Sequence, residues 1–137
     1  MNVRTWQGTF AYLDSWEERY SYLIDQGRKL APFHHKTAAH RVPGCISQVW
    51  LDVQKDPTTS KPVIWLDSDS FIVKGLLCLL KDVYEYKMEI SPPQPMLTMK
   101  MVFQSLDLEH FLTPNRVQGL FFVEKTLSSA LEELKFL

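Results

Sequence analysis

Between Phe71 and Tyr86 the chain is apolar on nearly every side of a helix. Phe71, Ile72, Val73, Leu76, Leu77, Leu79, Leu80, Val83 and Tyr84 cover most of the circumference. A helix of that kind has to be enclosed by other elements. The segment therefore predicts a central buried helix, and the remaining residues must wrap it. Asp67, Ser68, Asp69 and Ser70, just upstream, supply candidate N-caps. The run from Phe71 to Leu80 is interrupted by Lys74 and is far shorter than the ~20 residues that cross a bilayer. No apolar leader follows the start, where Arg4, Gln7 and Asp14 fall. A soluble, cytoplasmic protein without a membrane partner is expected.

The wrapping elements can be read in order. Residues 1–13, with Trp6, Phe10 and Tyr12, predict a short helical turn docked on the body. Ser15-Trp16-Glu17-Glu18 has the form of a capping box. Trp16, Tyr20, Leu23, Ile24 and Leu30 then follow at the spacing of one helix face, and Pro32 is the expected stop. Residues 31–44 read as an irregular loop carrying His34, His35, Lys36, His40 and Arg41. Ser47–Gln54 and Pro62–Asp67 predict two strands joined by the turn-forming stretch Lys55 to Lys61, hence an antiparallel hairpin. Trp50 and Trp65 fall on the two strands, with the register open.

Ser91-Pro92-Pro93-Gln94-Pro95 breaks the chain. Met99, Val102, Phe103, Leu106 and Leu108 then predict a short helix or two. Thr113-Pro114 is a cap residue followed by proline at the first helical position, opening a helix to about Leu134. Its expected buried face is drawn from Val117, Leu120, Phe121, Val123, Leu127, Ala130, Leu131 and Leu134. The sum is one domain over residues 1–137, α+β, with a small antiparallel β-sheet packed against several α-helices. The 137 residues suffice for a core without covalent staples.

Charge and cysteine usage narrow the function. A formal net charge of -1 disfavours binding driven by phosphate neutralisation, so no nucleic-acid partner is expected. Of the two cysteines, Cys78 lies in the apolar run of the central helix and reads as a buried hydrophobe. Both thiols are expected to be reduced. Cys45 differs. It follows Pro43-Gly44, which is turn chemistry, and precedes the strand-like Val49 to Val53. A loop entering a sheet holds a side chain on a rigid mount. Two readings stand side by side: a small buried residue, or a nucleophilic thiol whose pKa is lowered by Lys36, His40 or Arg41.

Other chemistries are weaker. His34, His35 and His40 cluster in sequence, but without CxxC or HExxH spacing, and no metal site is expected. A thiol enzyme would need a histidine base beside Cys45, and His110 is the one histidine outside that loop. The glycines are isolated, so no phosphate-cradling loop is present. Arg116 falls in the first turn of the last helix, where the dipole disfavours it. It is either a plain surface arginine or one that reaches toward an anionic or thiol partner. Asp67 and Asp69 read first as helix caps.

Taken together, Gly44-Cys45-Ile46-Ser47-Gln48-Val49-Trp50, Asp67-Ser68-Asp69-Ser70-Phe71-Ile72-Val73-Lys74-Gly75-Leu76, Leu112-Thr113-Pro114-Asn115-Arg116 and Gly119-Leu120 resemble the SufE family of sulfur acceptors. Trp16-Glu17-Glu18-Arg19-Tyr20 and Gly27-Arg28-Lys29-Leu30 are similar to its first helix, and the match covers about residues 13–134. Ile46 departs from the family, many of whose members carry Gln there, and residues 91–105 align poorly.

The resemblance implies a SufE/IscU-like fold and a persulfide relay. A PLP-dependent cysteine desulfurase (SufS/CsdA-like) would be the partner, and Cys45 would take its sulfur. The chain would stimulate that enzyme and pass the sulfur to an iron–sulfur scaffold. PLP belongs to the partner, so no cofactor is expected here, nor independent enzyme activity. Arg41, Gly44, Gln48, Asp69 and Arg116 are implied as residues shaping the site or the interface. A monomer or weak dimer is expected. The apolar neighbours Val42, Pro43 and Ile46 imply a thiol tucked away at rest, swinging out on docking. An IscU-like cluster scaffold is the close rival, and the single loop cysteine argues against it because a cluster takes several thiolates.

Overall fold

The computed structural model describes residues 3–34, 36–45, 47–89 and 97–137. His35, Ile46 and the Ser91–Pro95 break lie outside the described residues. The order is α1 (Val3–Tyr12), α2 (Trp16–Gly27), β1 (Val49–Lys55), β2 (Pro62–Ser68), α3 (Phe71–Glu89), α4 (Met99–Ser105) and α5 (Pro114–Glu133). A short 3-10 turn, Ala38–His40, precedes β1. The α+β expectation holds: the helices pack around a two-stranded antiparallel sheet. Among the described residues no helix is long and apolar enough to cross a membrane.

As its apolar circumference requires, α3 is the centre. Leu76, Leu77, Leu79, Leu80 and Val83 are all but inaccessible, and α1, α2, β2 and α5 pack on it. It runs three residues beyond Tyr86, to Glu89. Phe71, expected inside, is 68% exposed. It is the first residue of the helix, before its axis passes under the other elements. The cap is Ser70, whose hydroxyl accepts from the Val73 amide at 3.4 Å. Asp67 and Asp69 are used elsewhere.

Ser15 caps α2, its hydroxyl accepting from Glu18 N at 3.2 Å. The Glu18 carboxylate accepts from that hydroxyl at 3.3 Å, rather than from the Ser15 amide of a full capping box. Yet α2 ends at Gly27 and not at Pro32. Near its end, at Gly27, α2 crosses α3 at Gly75. A Cβ on Gly27 would lie 2.6 Å from Gly75 N, and one on Gly75 only 2.1 Å from Leu23 O. The two helices touch backbone to backbone there, and α2 finishes on a poor helix former. The N-terminal segment is a ten-residue helix rather than a short turn, burying Val3, Trp6 and Phe10. Trp6 Nε1 donates to the buried Asp82 carboxylate at 2.7 Å.

The hairpin pairs Val49 with Ser68, Leu51 with Leu66 and Val53 with Ile64 on its inner face. Trp50, Asp52, Trp65 and Asp67 share the outer face, so the two tryptophans are diagonal neighbours. The loop after α2 folds across this outer face. Lys36 Nζ lies 2.7 Å from Asp67 Oδ2 and 5.2 Å from the Trp50 ring centroid, and His40 Nε2 lies 3.8 Å from Asp52 Oδ1.

In α5, Thr113 caps through its hydroxyl, which accepts from Arg116 N at 3.3 Å. Leu120, Val123, Leu127 and Leu131 face the core, whereas Leu134, just past the end, is 41% exposed. Against β1 this helix closes the end of the molecule where the Pro43-Gly44 turn sits.

Candidate functional site at Cys45

The segment before Cys45 is tied to the sheet. Val42 is buried, and its amide donates to Val49 O at 2.8 Å, while Arg41 bridges Trp50. Pro43 and Gly44 then turn the chain outward, both exposed. Gly44 has φ +85°, the left-handed region that glycine alone adopts without strain. A side chain there would also meet the Phe122 ring, at 3.1 Å from its Cδ2.

The turn lays Cys45 against α5, half-buried. Its thiol donates to the Gly119 carbonyl oxygen at 3.6 Å. Gly119 presents bare backbone to the sulfur: a Cβ on it would sit 3.7 Å from Sγ. The sulfur borders a cavity of about 380 Å³ between β1, α3 and α5. Val49, Val73, Leu76 and Leu120 supply its apolar wall, with Ser47, Asn115 and Arg116 as polar lining.

Downstream the chain is anchored again. Gln48 N donates to Asp69 Oδ1 at 3.0 Å, and Asp69 N returns a bond to Gln48 O at 3.3 Å. Asp69 thus holds the exit of the Cys45 loop rather than capping α3. Asp67 accepts from Ser68 N at 2.8 Å and pairs with Lys36 and Lys74.

Of the residues singled out in the sequence, Cys45 and Arg116 border the same cavity. Arg116 Nη1 donates to the Tyr20 hydroxyl at 3.0 Å, which fixes the guanidinium to α2. Gly44, Gln48 and Asp69 shape the loop. Arg41 is exposed and sits on the strand-bridging side. The expectation that Lys36, His40 and Arg41 lower the thiol pKa is corrected. Burial raises the Cys45 pKa above 9.0, because a thiolate loses hydration that no nearby charge replaces. Lys36 and His40 are turned toward Asp67 and Asp52 on the outer sheet face.

Nor is a base placed beside the thiol. His110 pairs with the Asp107 carboxylate on the exposed surface, and none of the described histidines lines the cavity. Of the three apolar neighbours expected to shelter Cys45, Val42 is buried, Pro43 is exposed and Ile46 lies outside the described residues. The half-buried sulfur is also covered from α5. Gly119 and Phe122 were not identified from the sequence as site residues. An isolated glycine inside a helical pattern is a signal of close approach, and Gly119 carried it. Phe122 carried none.

Cys78 is 8% exposed, and its thiol is pushed up to about 11, first by burial and then by the Asp82 charge. It is chemically quiet at neutral pH.

Comparison with known proteins gives a consistent picture. A family model described as "SufE: Fe-S metabolism associated domain" matches residues 4–131. The chain is 35% identical over 125 residues to the cysteine desulfuration protein SufE of Wigglesworthia glossinidia brevipalpis, covering 88% of this chain and 83% of that one. It is 30% identical over 127 residues to an uncharacterized SufE-like protein of Rhizobium meliloti (strain 1021), covering 90% and 89%. A solution structure of a hypothetical protein from Thermus thermophilus shares the fold, with TM-score 0.70 at 19% identity over 96% of this chain and 94% of that one.

Proposed function

Because the chain belongs to the SufE family, we propose that it carries sulfur from a cysteine desulfurase on Cys45. The observation that supports this reading is the placement of a lone half-buried thiol on a doubly anchored loop, at the edge of a cavity with room beside the sulfur. The relative named a cysteine desulfuration protein agrees with it.

The transfer is an exchange of the thiol–disulfide kind. The desulfurase, using its own PLP, holds the sulfur of L-cysteine as a persulfide. Cys45, having given up its proton, attacks the outer sulfur. A sulfur–sulfur bond forms at Cys45 as the partner's sulfur–sulfur bond breaks, and the partner's cysteine leaves as thiolate. No net oxidation occurs. Clearing the partner's thiol lets it turn over again, which is how the chain stimulates the desulfurase. The loaded Cys45 then delivers sulfur to an iron–sulfur scaffold. This chain supplies no cofactor and acts as one SufE-like domain in the cytoplasm, a monomer or weak dimer.

The raised thiol pKa fits a carrier that rests unreactive and is activated on docking. The rival role of cluster scaffold requires several ligating thiolates. The second cysteine, Cys78, is buried in α3.

Incubation with a desulfurase and L-cysteine, followed by intact-mass analysis, tests the proposal. One added sulfur atom on wild type and none on Cys45→Ser is expected. Unmodified wild type, or full stimulation of the desulfurase by Cys45→Ser, would overturn it.

A further inference from the structure

We infer that Phe122 is a positioning residue for this transfer: its ring holds the Gly44 turn in place and so keeps the Cys45 thiol in its resting position against Gly119. The inference rests on Cys45 as the reacting group.

The loop is fixed at its base by Val42 N to Val49 O, and at its exit by Gln48 N to Asp69 Oδ1. Between those anchors, α5 supplies two contacts to the apex among the described residues. Gly119 and Phe122 are three residues apart and lie on one side of that helix. Gly119 accepts the thiol, and Phe122 packs on the residue before it. The ring carbons Cδ2, Cε2 and Cγ lie 3.1, 3.4 and 3.5 Å from the point where a Gly44 Cβ would be.

Two features suit this contact to regulation rather than to stability. Phe122 is 43% exposed, whereas its neighbour Phe121 turns inward, 5.9 Å from the Phe103 ring. A ring left so open adds little to the core, and an approaching protein can displace it without unfolding anything. Gly44 is itself exposed and sits at φ +85°. Only glycine crosses between the left-handed and ordinary regions at low cost, so the turn can swing once the ring is lifted.

The test uses the isolated full chain and reads alkylation of Cys45 by iodoacetamide across pH, with Cys45→Ser as blank. Phe122→Ala should react several-fold faster at neutral pH, with its apparent pKa falling toward the ordinary 9.0. Its melting temperature should stay near wild type. Phe122→Leu should be intermediate and Phe122→Tyr, which keeps the ring, should restore the slow rate. Phe71→Ala removes a more exposed phenylalanine from the start of α3 and should change nothing. Equal rates for wild type, Phe122→Ala and Phe122→Leu would overturn the inference. A parallel loading assay with desulfurase separates the two readings. Absence of sulfur on wild-type Cys45 sinks the carrier function, while the alkylation series judges the role of the ring.

Discussion

The Cys45 thiol rests on the carbonyl oxygen of Gly119, 3.6 Å away, so the sulfur is parked on bare helix backbone. Any side chain at 119 shares that space. Gly119→Ala places its Cβ 3.7 Å from Sγ, an ordinary contact. It also removes a glycine from a helix interior, worth about 0.5–1 kcal/mol in favour of the variant. A small rise in melting temperature is expected, together with slower persulfide loading because the room beside the sulfur shrinks. A fall in melting temperature would show that the sulfur lies closer to α5.

The pH dependence of Cys45 follows from burial. Its folded pKa is raised, so the protonated thiol is favoured in the fold. The associated stability is present below the ordinary value of 9.0 and is lost as pH climbs through the folded value. Alkylation of the free protein should therefore rise at a pH above that of an ordinary thiol, and shift downward in mild urea or on loop mutation. A profile at or below 9.0 in the intact protein would contradict a sheltered sulfur.

Asp69→Ala removes the carboxylate that receives Gln48 N at 3.0 Å. The expected loss is about 1 kcal/mol, with faster hydrogen exchange confined to the loop exit. Asp69→Asn keeps an acceptor and should behave close to wild type in the same exchange experiment.

Where α2 crosses α3 there is no room for a methyl group. Gly75→Ala puts Cβ 2.1 Å from Leu23 O. Backbone must move, and a loss of about 3 kcal/mol or more is expected from urea denaturation. Wild-type stability in that variant would mean the crossing is looser than described.

Asp82 carries its charge at a penalty. Burial raises its pKa, and the Trp6 hydrogen bond opposes that only in part. The sign follows: its stabilising contribution is complete below 3.8 and is lost as pH rises through the folded value. Asp82→Asn keeps an acceptor for Trp6 and should be more stable than wild type in neutral buffer, with the gain shrinking in acid. It should also lower the Cys78 pKa, which the Asp82 charge helps raise. Asp82→Leu strands the indole N–H and should cost about 1–3 kcal/mol.

The central helix, the hairpin and the caps at Ser15 and Thr113 were legible because each is signalled within a few residues. The tight crossing of α2 and α3 was not, since it joins Gly27 to Gly75, far along the chain. The surroundings of Cys45 were misread for a related reason. Lys36, His40 and Arg41 are its neighbours in sequence, but the strand pairing of Arg41 with Trp50 turns that segment over the outer sheet face. The hydrogen-bond partner of the sulfur, Gly119, comes from the last helix. The cysteine itself, the arginine across its cavity and the turn that presents it were visible beforehand. The glycine and phenylalanine that hold it were not.

The burial of Cys78 has a chemical consequence for the persulfide proposed on Cys45. A second reachable thiolate in the same molecule would attack the inner sulfur, closing an internal disulfide and expelling hydrosulfide. The cargo would escape as a toxic gas, and the carrier would need a reductant before its next round. With that thiol 8% exposed and pushed up to about 11, the chain lacks an internal means of discharging itself, and its load waits for the thiol of another protein.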